Sequence, residues 1–156
     1  MEFSKVFESG DARFGTAGPL LIVVYRGTAN VAVLDELDRV QESLLQTHPR
    51  ISTLTLITQA SAALKVEEGV RARSVQLGKK YEAKVIGSAI VVSAKGLGAV
   101  MVRTFLSGFF LLSRAESPMK TFASVQEGLS WLQALPGQDV AIKTAITAAD
   151  VERFLA

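Results

Sequence analysis

Between Leu20 and Tyr25 the chain reads Leu20-Leu21-Ile22-Val23-Val24-Tyr25, six residues with no polar interruption. A strand with one face in water alternates polar and apolar residues, so an unbroken run marks a strand covered on both faces. Such a strand belongs at the centre of a sheet with helices packed above and below. This one segment therefore excludes a solvent-faced antiparallel sheet and an all-helical bundle, and it asks the rest of the chain to supply flanking strands and crossover helices.

The remainder supplies them in order. Ala12 to Phe14 is extended and is separated from the central run by Gly15-Thr16-Ala17-Gly18-Pro19, which predicts an N-terminal hairpin. Asn30 can cap a helix whose apolar residues Val33, Leu34, Leu37, Val40, Leu44 and Leu45 recur at three and four residue intervals. His48-Pro49 stops it, because the residue before proline is pushed out of the helical region. Thr53 to Thr58 reads as the next strand, Lys65 to Glu82 as a surface helix with Val66, Val70, Leu77 and Tyr81 inward, and Val85 to Ala94 as a further strand. Leu97 to Ser113 follows as an apolar helix. Met119 to Ala123 and Ser124 to Leu135 form a last strand and helix, with Ser124 and Glu127 at the spacing of a capping box. After Pro136-Gly137, Val140 to Ile146 reads as a strand, and Thr147 with Asp150 again has capping spacing before Val151, Phe154 and Leu155. Four alternations of strand and helix call for an open, mostly parallel sheet in an α/β fold. The expected division is an α/β domain over residues 1–136 and a C-terminal extension over 137–156.

Composition narrows the chemistry. A chain of 156 residues that is 49% hydrophobic can bury one substantial core, and 21% charged residues is too few for disorder. There is no cysteine, which removes disulfides, thiolate metal sites and a thiol nucleophile. The first residues carry Glu2 and Glu8 where a signal peptide needs a basic region and an apolar run, so a cytoplasmic location is expected. Leu97 to Leu112 is apolar but carries Arg103 and is shorter than the roughly 20 residues of a spanning helix, so no integral membrane insertion is expected. The single histidine, His48, lies at a helix end, where a cation suits the helix dipole. Without a second histidine, metal clusters and serine-histidine triads lack their parts. Lys95-Gly96-Leu97-Gly98 lacks phosphate-loop spacing. Neither a cofactor nor a metal is expected, and the chain reads as a non-enzyme.

The N-terminal hairpin, the three further strand-helix repeats and the closing Phe122-Ala123-Ser124 with Gly128-Leu129-Ser130-Trp131-Leu132 resemble the STAS-like group, the fold of anti-sigma factor antagonists. The likeness is to small bacterial stand-alone versions and covers about residues 12 to 135. It implies a regulatory module that works by binding another protein. In regulatory members of that group the loop after the central strand carries a phosphorylatable serine within an Asp-Ser-Gly-like motif. The equivalent loop here is Thr58-Gln59-Ala60-Ser61-Ala62-Ala63, which has neither that aspartate nor that glycine. The resemblance would make Ser61 the position for such a phosphate, while the residues themselves favour a plain helix cap there.

Charge is unevenly spread. From Arg71 to Arg114 there are eight basic residues against Glu82 alone, a net +7, while the rest of the chain holds nine basic against fourteen acidic residues, a net −5. Such a segment suits an acidic protein partner. No nucleic-acid motif accompanies it. The expected contact surface is Ser61, Arg71, Arg73, Lys79 and Lys80. Asp35, Glu36, Asp38 and Glu42 read as the polar side of the first helix, and Trp131 as core. Phe109, Phe110, Leu111 and Leu112 make the Leu97 to Ser113 helix apolar nearly all round, which suggests a homodimer sealed by this helix or by the C-terminal tail, with Phe105, Phe109 and Phe110 as dimer surface or pocket lining. The alternative is a pocket for a small molecule or lipid, since carriers of the CRAL-TRIO type resemble this fold.

Overall fold

In the computed structural model, which describes residues 1–27, 29–58, 69–93 and 117–156, the unbroken run forms β3 (Leu20–Tyr25). Both of its faces are covered. Leu20, Ile22 and Val24 pack with Leu54, Leu56, Ala89 and Val91 on one side of the sheet, while Leu21 and Val23 pack with Ala12 and Phe14 on the other. This is the period-two alternation of a strand, with apolar side chains on both parities. Among the described residues the sheet has six strands, β1 (Ser4–Glu8), β2 (Ala12–Ala17), β3, β4 (Ile51–Ile57), β5 (Val85–Val92) and β6 (Met119–Phe122), each beside its neighbour in sequence. The first three run antiparallel, and the pairs from β3 to β6 are parallel. The chain is an α/β protein with an open mixed sheet and an N-terminal hairpin.

Helices cover both faces. On the face of Leu21 and Val23 lie α1 (Val31–Leu45), through Val33 and Val40, and α2 (Val70–Tyr81), whose Val70, Leu77 and Tyr81 pack with Leu34, Ile51 and Val85. On the opposite face lie α3 (Val125–Gln133), α4 (Val140–Ala145) and α5 (Ala148–Leu155). Here Leu129, Leu132, Ile142, Ile146 and Val151 join the core of β3 to β5. Each of these side chains is at most 2% exposed, and full burial of one such side chain contributes about 1.5–3 kcal/mol. Residues 137–156 thus share the main core with the central strands. Trp131 is half-buried at the rim of that core, its ring 5.5 Å from Phe122.

The structure departs from the sequence reading at several points. The hairpin turn is only Gly18-Pro19, and Gly15, Thr16 and Ala17 continue β2. Gly18 takes a φ of +55°, which a side chain would disfavour. Gly15 stays in the strand because a Cβ there would stand 2.6 Å from two ring carbons of Phe154, so the glycine is a packing site instead of a turn. Ser4–Glu8, in which no strand is expected from the sequence, is a strand paired to β2 with an irregularity between Lys5 and Phe7, and lies at the edge of the sheet among the described residues.

Val140 to Ala145, expected as a strand, is helical. Asp139 caps it by accepting the Ala141 N–H at 2.8 Å, and Ile142 and Ile146, four residues apart, both face the core. The β-branched composition suggested extension, but the apolar spacing and the cap decide for a helix. The second helix begins at Val70, with Gly69 as its N-cap at φ +86°, instead of running through that glycine. Ser124 caps α3 by accepting the Glu127 N–H, without the reciprocal half of a capping box, whereas Thr147 and Asp150 form both halves. The apolar helix expected over 97–113 lies outside the described residues.

Candidate functional site

Helix α1 presents Asp35, Asp38 and Glu42 along one stripe, and α2 presents Arg73 and Lys80, seven residues apart and so about two turns along one side of the helix. The two stripes face each other. Arg73 spans two carboxylates, its Nε donating to Asp35 Oδ1 at 3.0 Å and its Nη2 to Asp38 Oδ2 at 3.0 Å. Lys80 Nζ donates to Asp38 Oδ1 at 2.8 Å and to Glu42 Oε1 at 2.6 Å. The buried Tyr81 adds its hydroxyl, which donates to the Asp38 backbone carbonyl at 3.0 Å and to the Asp38 carboxylate.

Asp38 is the hub of this network. Its side chain is 19% exposed and that of its partner Arg73 is 24%, whereas Asp35 and Glu42 are each 59% exposed. Outer pairs of that exposure are screened and contribute little, so the Arg73–Asp38 contact is the least screened of the pairs between the two helices. Desolvation works to raise the Asp38 pKa, but hydrogen bonds from Lys80, Tyr81 and Arg73 outweigh it and hold the carboxyl at about 2. The bonds to Asp38 and Glu42 push Lys80 above the usual ammonium range. Burial, and then the bond to Asp38, pushes the Tyr81 hydroxyl well above the ordinary phenol value. None of these shifts moves a group's titration toward neutral pH. The cluster is three carboxylates and two cations held ionised around a neutral phenol, suited to fixing a helix and not to exchanging protons at neutral pH.

Of the five residues expected on the contact surface, the structure brings Arg73 and Lys80 together, and it turns them toward α1. Arg71 and Lys79 are exposed. At about 100° per residue they fall on the other half of the helix circumference from Arg73 and Lys80. Ser61 lies outside the described residues, as do Phe105, Phe109 and Phe110. Two participants escape a reading of the sequence: Tyr81, which looks like one more apolar position of its helix, and the acid stripe of α1 as the partner of α2. The visible signal for the second was the matching spacing, with Asp35 and Glu42 seven apart opposite Arg73 and Lys80 seven apart.

The C-terminal ends of the parallel strands β3, β4 and β5 lie side by side. Thr58 donates from its N–H at 3.4 Å and its hydroxyl at 3.1 Å to the Tyr25 carbonyl, and the Ser93 N–H donates to the Ile57 carbonyl at 3.3 Å. Asn30 caps α1 by accepting the Val33 N–H at 2.9 Å, while its amide donates to Asp11 at 3.3 Å. His48, at the other end of α1, places Nδ1 3.3 Å from the Leu44 carbonyl, a helix-end role. Among the described residues no helix is long and apolar enough to cross a membrane. Compared with protein-family models, curated proteins and solved structures, the chain finds no match.

Proposed function

We propose that this α/β chain is a non-enzymatic, STAS-like interaction module that binds an acidic partner protein through the outer face of α2. The observation that carries this reading is the division of labour along α2. Arg73 and Lys80 reach across to the carboxylates of α1, while the exposed Lys79 lies, with Arg71, on the other half of the helix circumference. A rigid helix needs to lose little conformational freedom on association, which favours a contact made of a few exposed cations.

The corresponding experiment is an affinity purification from the native cell with wild-type protein and with the Arg71→Glu, Lys79→Glu double variant, both checked for folding by circular dichroism. The reading expects a specific partner to be lost from the double variant. An unchanged set of captured proteins would reject this surface. Arg73 and Lys80 are unsuited to the test, since reversing them would also break the ion pairs between α1 and α2. Light scattering of the same preparations tests the accompanying proposal of a homodimer, which a monomeric mass at micromolar concentration would remove.

A further inference from the structure

We draw no further inference here: the strongest candidate, the strip of half-buried Phe7, Tyr25, Leu37 and Leu44 along the seam between α1 and the N-terminal strands, is an apolar face for which nothing in the structure shows what covers it.

Discussion

The Tyr81 hydroxyl sits between two oxygens of Asp38, its backbone carbonyl at 3.0 Å and its carboxylate, and joins the last turn of α2 to the middle of α1. A buried phenol is rarely placed without a partner, and this one has a charged acceptor. Tyr81→Phe keeps the ring in the core and removes only that bond. The expected loss is about 1.5–3 kcal/mol, the range for hydrogen bonds to charged groups. Urea denaturation with an unchanged slope is the measurement, and a midpoint equal to wild type would show that the hydroxyl contributes nothing.

Acid should loosen the same network. The folded Asp38 carboxyl is held at about 2, below the unfolded reference of about 3.9. A depressed carboxylate contributes stability that is complete above the unfolded value and is lost as pH falls through the folded one. The window is therefore about pH 4 down to about pH 2. Asp150, held low by the Thr147 backbone and side chain, and Glu8, held low chiefly by Arg13, add slope in the acid range. Asp38→Asn is expected to flatten the fall of melting temperature in that window without abolishing it. A slope identical to wild type would assign acid sensitivity to the other two carboxylates.

Gln41 is 7% exposed on the inner side of α1, and its Oε1 is buried with no hydrogen-bond partner among the described residues. An orphaned buried acceptor costs about 1–3 kcal/mol, while Met at the same position keeps the length and removes the polar atom. Gln41→Met is expected to stabilise the protein by about 1 kcal/mol, or about 2–4 °C in melting temperature for a domain of this size. Calorimetry settles the sign.

At Gly15 the prediction concerns space. A methyl group there meets the Phe154 ring at 2.6 Å and Ile22 at 3.2 Å, so Gly15→Ala must displace the aromatic ring or the strand. Overpacking of this kind costs about 1–3 kcal/mol. Adding Phe154→Leu to Gly15→Ala should recover part of the loss, and a double-mutant cycle reads the coupling. Strict additivity would mean that the strand, and not the ring, absorbs the strain.

How much of this was legible beforehand depended on the range of the forces involved. The unbroken Leu20 to Tyr25 run, the apolar stripe after Asn30 and the Thr147 and Asp150 cap are local patterns, and each became the element its pattern specifies. Val140 to Ala145 shows the limit of composition. Its β-branched residues suggested a strand, and the Asp139 cap together with the core contacts of Ile142 and Ile146 made it a helix. Ser4–Glu8 carried too weak an alternation to be read as a strand and owes its conformation to the hydrogen-bonding edge of β2. Gly15 looked like a turn because nothing local announces an aromatic ring arriving from Phe154.

The candidate surface divides along the same line. The sequence by itself determined that α2 would be basic and that α1 would carry an acidic side, since residue type and helical spacing are local properties. Only the tertiary structure decided that Arg73 and Lys80 meet Asp35, Asp38 and Glu42, and that Arg71 and Lys79 stay exposed. The reason is geometric. Both helices must bury their apolar stripes on one face of the sheet, through Val33 and Val40 for α1 and Leu77 and Tyr81 for α2, and that shared demand fixes their rotation before any charge is matched.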